Sequence, residues 1–201
     1  MRSLPQLFEK NREWAAGEVA RDPHFFERLL EIQRPPYLWI GCADSRVPAN
    51  EIVGLAPGEI FVHRNVANIV RHDDPNALSV IQYAVDVLAV RHIIVTGHHG
   101  CGGIIAALGP PAPEPLETWL THIRALRDTH ADELARLDPV ARPDRLCELN
   151  VAAQVSAVAG TATVREAWAA GKPLAIHGWF YDLKDGLLHD LDVTLDRPEA
   201  R

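Results

Sequence analysis

The sequence predicts an α/β fold: a mostly parallel central sheet with flanking helices, an antiparallel edge strand and an N-terminal helical arm. Apolar runs typical of buried parallel strands alternate with helical segments along the chain. A strand–turn–strand pattern with its turn at Asp185-Gly186 closes the chain and predicts the antiparallel edge. Two helical segments precede the first strand. No strand accompanies them, so these two helices have no sheet of their own to cover.

The N-terminal arm starts with apolar residues at helical spacing, which predict a helix over residues 3–20. Asp22 and Pro23 then supply the N-cap and the first-turn proline of a second helix, and Pro35-Pro36 ends it. We expect a single domain over residues 1–201, in which residues 1–34 form an arm that packs on a partner subunit.

The remaining elements alternate between apolar strands and amphipathic helices. Asp74-Pro75 caps a long helix, and the glycine-rich turn GHHGCGG, residues 97–103, follows a strand and precedes a helix start. Strands are predicted over residues 37–41, 60–63 and 92–96 and in the terminal hairpin within 172–193. Helices are predicted over residues 76–90, 116–137 and 145–170.

Composition excludes several classes of protein. The chain has 201 residues, 47% of them apolar, which is enough for one domain with a sizeable core. Its net charge of −7 and its lack of a Lys/Arg-rich run argue against a nucleic-acid partner. The charged N-terminus and the absence of an apolar stretch of about 20 residues predict a cytoplasmic protein with no membrane partner. In that compartment its three cysteines favour metal binding, catalysis or core packing over disulfides.

Candidate metal ligands follow two of the predicted strands. Cys42 ends the first strand, and His98 and Cys101 follow the third in His-x-x-Cys spacing. If these strands are neighbours, the three side chains converge at the carboxyl edge of the sheet. Two thiolates and one imidazole suit zinc better than magnesium or calcium, and three protein ligands leave the open position of a catalytic site. The alternative is a loop histidine beside a buried cysteine.

Asp44 and Arg46 lie within four residues of Cys42. Arg46 is able to hold a carboxylate with two charge-assisted hydrogen bonds, so Asp44 has two candidate partners, the metal and Arg46. Paired with Arg46, Asp44 leaves the metal open to water and accepts a hydrogen bond from that water. The alternative is a capping aspartate in a surface salt bridge. A redox pair of Cys42 and Cys101 is disfavoured, since the two are not in Cys-x-x-Cys spacing.

The motifs CADSRV and GHHGCGG resemble the signature of the β-class carbonic anhydrases, C-x-D-x-R with H-x-x-C. The resemblance continues through GEIFVHRNVAN, SVIQYAVDVL, LCELNV and IHGWFYDLKDGLL, and it is greatest to the bacterial, allosterically regulated type II subgroup. It implies one zinc ion per subunit on Cys42, His98 and Cys101. It also implies a catalytic dyad of Asp44 and Arg46, with Asp44 as fourth zinc ligand in a closed state.

The resemblance further implies reversible hydration of carbon dioxide to bicarbonate and a proton by a homodimer or homotetramer. Bicarbonate is expected to inhibit at low pH from a separate site of Trp39, Arg64 and Tyr181. The expected carbon dioxide pocket, to which the neighbouring subunit contributes the first residue, consists of Gln33, Phe61, Val66, Tyr83 and Gly103.

Two other functions stay open on the same scaffold: hydrolysis of carbon disulfide or carbonyl sulfide, and zinc-dependent bicarbonate sensing with little turnover. Because two thiolates donate more negative charge than imidazoles, activity is expected to rise on the alkaline side of neutrality. His63 and His99 are candidate proton shuttles by residue type alone. Cys147, on an apolar helical stripe, is expected in the core.

Overall fold

The structure is a computed structural model that describes residues 4–31 and 33–197. The chain divides into two units at the junction of Gln33 and Arg34, and each is described by itself. Within the described residues, no helix combines the length and apolar character needed to cross a membrane.

The first unit contains helices α1 (Pro5–Arg21) and α2 (Phe25–Leu29). The predicted start of α1 at residue 3 lies outside the described residues. The helix α2 begins later than predicted, because the Asp22 side chain accepts a hydrogen bond from the backbone N of His24 (3.0 Å) and forms a turn. Trp14 packs edge-on against Phe25 and Phe26, with ring centroids 6.2 and 5.7 Å apart. No residue of α1 is buried.

The second unit is built on a five-stranded sheet of β1 (Tyr37–Cys42), β2 (Ile60–Asn65), β3 (His92–His98), β4 (Ala175–Asp182) and β5 (Leu187–Asp190). The strand order is β2-β1-β3-β4-β5, with β1 to β4 parallel and β5 antiparallel at the edge. The predicted fold class is therefore confirmed. The first three strands run one or two residues further than predicted, so that polar side chains stand on their last positions.

Seven helices of the described residues surround this sheet: α3 (Ala49–Val53), α4 (Pro75–Gln82), α5 (Gly102–Leu108), α6 (Leu116–Thr129), α7 (Ala131–Ala135), α8 (Arg142–Ala159) and α9 (Ala162–Ala169). The predicted helix over 76–90 is α4 followed by a π-helical turn at Tyr83–Val87. The predicted region 116–137 divides at His130. The region 145–170 divides before Thr161, whose hydroxyl caps α9 by accepting from the backbone N of Val164 (3.4 Å).

The core packs on both faces of the sheet. Leu38, Ile40 and Ile93 face α4, α8 and α9 in the largest cluster, and Trp39 and Ile94 face α3 on the other side. Gly97 marks a close approach of α8 to β3, because a Cβ atom there would lie 2.6 Å from Cys147 Sγ. The ladder between β1 and β3 places their carboxyl ends side by side, and the N-terminal half of α8 packs against the end of β3.

Candidate metal centre

Three buried side chains meet where β1 and β3 end. The ligand atoms of Cys42, His98 and Cys101 all lie within 4.8 Å of one another, and the two Sγ atoms are 3.8 Å apart. Two thiolates bound to zinc at about 2.3 Å with a tetrahedral angle would place their sulfur atoms about 3.8 Å apart. The observed spacing therefore fits a tetrahedral zinc ion without movement of either cysteine.

The imidazole of His98 is oriented for metal binding. Its Nδ1 faces the carbonyl oxygen of His99 at 3.0 Å, and because a carbonyl only accepts, Nδ1 must carry the proton. The Nε2 atom is then an acceptor, fully buried and without a hydrogen-bond partner among the described residues. A buried nitrogen lone pair is costly unless it is satisfied, and a metal ion beside the two sulfurs would satisfy it.

The thiols of Cys42 and Cys101 share a hydrogen bond that shifts their pKa values in opposite directions. Donation from Cys101 lowers the pKa of Cys42, and the same contact together with burial raises the pKa of Cys101. The pair therefore loses its first proton more readily than its second. A divalent cation would displace the remaining proton and stabilise both thiolates, so metal affinity should increase with pH.

Asp44 lies beside this cluster and is held by Arg46. Arg46 Nε donates to Asp44 Oδ1 at 2.9 Å and Arg46 Nη2 to Oδ2 at 2.7 Å, while the backbone N of Arg46 donates to Oδ1 at 3.0 Å. These bonds keep the pKa of Asp44 well below its usual range, although burial opposes them. Asp44 Oδ2 is 3.8 Å from His98 Nε2. Of the two partners open to Asp44 from the sequence, the structure shows Arg46.

The residues predicted to line the carbon dioxide pocket make two separate pairwise contacts in the structure. The rings of Phe61 and Tyr83 are tilted against each other with centroids 5.8 Å apart. Gly103 faces Val66, since a Cβ atom on the glycine would lie 2.8 Å from Val66 Cγ1. Gln33 is exposed and belongs to the first unit. The role of all five in binding carbon dioxide stays a prediction.

The three residues of the predicted bicarbonate site stand on one face of the sheet, as the register of β1, β2 and β4 requires. Trp39 is fully buried, and its Nε1 has no hydrogen-bond partner among the described residues. Arg64 Nε donates to the carbonyl oxygen of Cys42 at 2.7 Å, and Nη2 donates to that of Asp44. Tyr181 is half-buried on β4, opposite His98.

A row of side chains on α8 holds the backbone around the centre, and sequence motifs did not reveal it. Asp144 accepts from the backbone N of Gly100 (3.4 Å), and the Cys147 thiol donates to the carbonyl oxygen of His98 (3.4 Å). Asn150 Nδ2 donates to the carbonyl oxygen of Ala67 (2.9 Å), and Gln154 Oε1 accepts from the backbone N of Val70 (2.8 Å). The only available signal was the helical spacing of these residues. Cys147 lies in the core as expected, and burial raises its pKa to about 12.

Among the described residues a second group of side chains has metal-ligand spacing, at the turn between β4 and β5: Asp182, Asp185 and His189. Two of the three are exposed, and both carboxylates already accept backbone hydrogen bonds within the turn, from Lys184 N (2.8 Å) and Leu187 N (2.9 Å). These contacts account for the cluster as turn structure.

Fold and site together define an α/β protein with a candidate metal centre, lined by sulfur and nitrogen, at the carboxyl edge of its sheet. The family model described as carbonic anhydrase matches residues 37–188. The chain belongs to the carbonic anhydrase family of enzymes, in its β class.

Individual relatives agree with this assignment. A carbonic anhydrase of Emericella nidulans is 48% identical over 189 residues, covering 94% of this chain and 83% of the relative. A Coccomyxa β-carbonic anhydrase, solved in complex with acetazolamide, has a TM-score of 0.94 and 40% identity, covering 98% of this chain and 90% of that one. One of two tetrameric β-carbonic anhydrases of the filamentous ascomycete Sordaria macrospora has a TM-score of 0.91 and 41% identity, covering 94% and 97%.

Proposed function

We propose that the chain catalyses the zinc-dependent, reversible hydration of carbon dioxide to bicarbonate and a proton. Cys42, His98 and Cys101 are the proposed ligands of one zinc ion per subunit. The observation that carries the proposal is a buried Cys–His–Cys cluster with a sulfur separation of 3.8 Å, beside a carboxylate that a guanidinium holds in place. A pure zinc-binding sensor has no need of that carboxylate.

The residues around the cluster divide the chemical work. A zinc ion held by three protein ligands would supply a nucleophile near neutral pH, because zinc lowers the pKa of a bound water to about 7 with imidazole ligands and less far with two thiolates. Asp44 is ionised, and its Oδ2 faces the ligand cluster, where it accepts a hydrogen bond from the attacking oxygen and orients a lone pair toward the substrate carbon. Arg46 fixes both oxygens of Asp44 and also donates to the carbonyl oxygen of Gly100 (3.2 Å), which ties the dyad to the turn that carries Cys101.

Apolar and aromatic surfaces suit a nonpolar substrate such as carbon dioxide. Val66 and Tyr83 are 39% and 43% exposed, so their side chains are open to a small molecule. We assign them with Phe61 and Gly103 to the carbon dioxide pocket, and Gln33 as the contribution of a second copy of the chain.

The test is zinc analysis and stopped-flow hydration of carbon dioxide with purified, reduced protein. Asp44→Asn should retain zinc and lose hydration by about 10- to 150-fold, the effect of removing a charged hydrogen bond of about 1.5–3 kcal/mol. The matched control is Asp73→Asn, since Arg71 holds Asp73 in the same two-pronged way at 2.8 and 2.7 Å. Hydration unchanged in Asp44→Asn, or turnover of carbonyl sulfide or carbon disulfide in place of carbon dioxide, would contradict the proposal.

We further propose that the enzyme shares the regulation of the bacterial type II subgroup, in which bicarbonate inhibits at low pH. The buried Trp39 N–H has no hydrogen-bond partner among the described residues, which supports an acceptor ligand on that face of the sheet, where Arg64 offers a cation. Arg64 also donates to the carbonyl oxygen of Asp44, so an anion that draws the guanidinium away loosens the backbone of the catalytic aspartate. Asp44 then leaves Arg46 and turns toward the zinc ligands.

This regulation is tested by bicarbonate titration of the hydration rate at mildly acidic pH. Trp39→Phe keeps the aromatic ring and removes the donor, and Arg64→Ala removes the cation. Both variants should retain zinc and lose the inhibition. Trp179→Phe is the matched control, because Trp179 packs against Trp39 on the same face with ring centroids 6.5 Å apart. A bicarbonate response equal to that of the wild type in both variants would rule out this site.

We also propose that the protein is a homodimer or homotetramer in which the N-terminal arm docks on a second copy. The arm has large solvent-exposed apolar side chains. Among them, Leu7 is 54% exposed and Phe8 is 62% exposed. The Sordaria macrospora relative is described as tetrameric. Light scattering distinguishes the monomer, dimer and tetramer, and a monomer at working concentration would contradict this assembly.

A further inference from the structure

The turn between His98 and Cys101 is held from the side of α8 by a carboxylate. Asp144 Oδ1 accepts from the backbone N of Gly100 at 3.4 Å, and Asp144 Oδ2 lies 2.8 Å from His99 Nδ1. Asp144 belongs to the first turn of α8, where a negative charge is favoured by the helix dipole. The carboxylate therefore connects the start of a long helix to the backbone between two proposed zinc ligands.

One peptide group joins Asp144 to the imidazole of His98. The carbonyl oxygen of His99 accepts from His98 Nδ1, and the N–H on the other side of the same peptide bond, that of Gly100, donates to Asp144. A peptide group is planar and rigid, so the position of its N–H fixes the direction of its carbonyl. Hydrogen bonds in such a chain also polarise one another, and an anion at the N–H makes the carbonyl a better acceptor.

We propose that Asp144 is a positioning residue for the metal centre, acting on His98 through the His99–Gly100 peptide. A metal-bound histidine commonly donates its other N–H to an acceptor that fixes the ring and raises its basicity. Here that acceptor is a backbone carbonyl, and Asp144 supplies the charge that orients and polarises it. The inference rests on the proposed zinc site and deepens it.

Two further hydrogen bonds hold the backbone on either side of the His99–Gly100 peptide. The Cys147 thiol, one turn further along α8, donates to the carbonyl oxygen of His98 (3.4 Å), and Arg46 donates to the carbonyl oxygen of Gly100 (3.2 Å). The Lys184 ammonium group lies 3.8 Å from Asp144 Oδ2, and the side chain of Asp144 is 26% exposed. A purely structural role for Asp144, as a helix-terminal charge or a partner of the His99 or Lys184 side chain, predicts effects on stability without effects on the metal.

The test measures the metal directly. Zinc release from the folded protein to a colorimetric chelator should be about tenfold faster in Asp144→Ala than in the wild type, the lower end of the range for residues that support a ligand. The visible spectrum of the cobalt-substituted protein should change as well. Asp144→Asn keeps an oxygen for the Gly100 N–H but loses the charge, so it should release zinc at an intermediate rate. The control Glu148→Ala, one turn along α8, removes a carboxylate that pairs with Arg145 (2.7 Å).

Each outcome has one meaning. Faster release and an altered cobalt spectrum in the Asp144 variants, with Glu148→Ala like the wild type, support the inference. A wild-type release rate and spectrum in Asp144→Ala overturn it, as does an equal effect in Glu148→Ala. If Asp144→Ala does not fold, the same comparison is made with Asp144→Asn, and wild-type behaviour there overturns the inference. A wild-type protein that binds no zinc would instead overturn the proposed function.

Discussion

His63 is a buried histidine whose surroundings favour the neutral imidazole over the charged one. The Asn65 amide is fixed by both backbone groups of Ile69, donating to its carbonyl and accepting from its N–H at 2.8 Å each. Its Nδ2 therefore faces His63 Nε2 at 3.1 Å, and the ring nitrogen has to accept. Burial lowers the pKa of His63, and the charge of Asp74 opposes this to a smaller extent. Protonation would place two donors against each other in the core.

The consequence is an acid-dependent loss of stability. Above the ordinary histidine pKa of about 6.5, His63 is neutral in the folded and unfolded states, so it adds no pH dependence. Below it, the unfolded chain takes up a proton that the folded chain does not, and the free energy of unfolding falls until the folded pKa is reached. His63→Gln still accepts from Asn65 and does not titrate, so the fall in the free energy of unfolding as the pH drops below about 6.5 should become shallower.

Urea denaturation across this pH range measures the slope. His24→Gln, at an exposed position of the arm, is the matched control for loss of a histidine. A slope that His63→Gln leaves as steep as in the wild type would mean that His63 is not the group responsible.

At the scale of single residues, the sequence predicts side chains whose partners lie nearby in the chain. Asp44 and Arg46 are two residues apart, and their pairing is one of the two arrangements that the sequence left open. Asp144 lies more than forty residues from Gly100 and meets it through a backbone N–H, which any residue type carries. Such a contact leaves no signature in spacing. For the same reason the two backbone carbonyls to which Arg64 donates were not foreseen.

The helices and strands show the same difference between features with a local sequence signal and features without one. The strand cores and the parallel class of the sheet were predictable because apolar runs and helix caps are local signals, whereas the order of the strands in the sheet was not predicted. The strand ends were not, because polar residues such as Asn65 and His98 reduce the apolar pattern while the ladder continues to the edge of the sheet. The π-helical turn at Tyr83–Val87 keeps a helical apolar spacing, so it reads as a continuation of α4. The helix α3 has five residues, too few for periodicity to reveal it.

The close packing of α8 on β3 gives a prediction for Gly97. A Cβ atom there would lie 2.6 Å from Cys147 Sγ and 2.7 Å from Val151 Cγ2, so Gly97→Ala must separate the two elements. We expect a loss of about 1–3 kcal/mol in the free energy of unfolding, the usual range for overpacking. Chemical denaturation measures it.

Gly102→Ala is the control, because a Cβ atom at that position in α5 meets nothing within 4 Å. Its effect should stay within about 1 kcal/mol, with alanine favoured over glycine in a helix. Equal stability of Gly97→Ala and the wild type would show that the space between α8 and β3 accommodates a methyl group.

At the scale of the whole molecule, the exposed apolar side chains of the arm predict association between copies. Phe8→Glu places a charge at the most exposed aromatic side chain of α1 and should shift the protein toward smaller species in light scattering. Asn11→Glu, in the same helix, adds the same charge at a polar exposed position and should leave the oligomer unchanged. If both variants match the wild type, the arm does not hold the subunits together.

The proposed chemistry requires a metal ion bound by two sulfurs and one nitrogen at the carboxyl edge of the sheet. X-ray absorption at the zinc edge of the purified, reduced enzyme tests this most directly. We predict two sulfur scatterers at about 2.3 Å and a nitrogen at about 2.0–2.1 Å from one zinc ion per chain, with one sulfur lost in Cys42→Ser. A first coordination shell made only of nitrogen and oxygen would contradict the account.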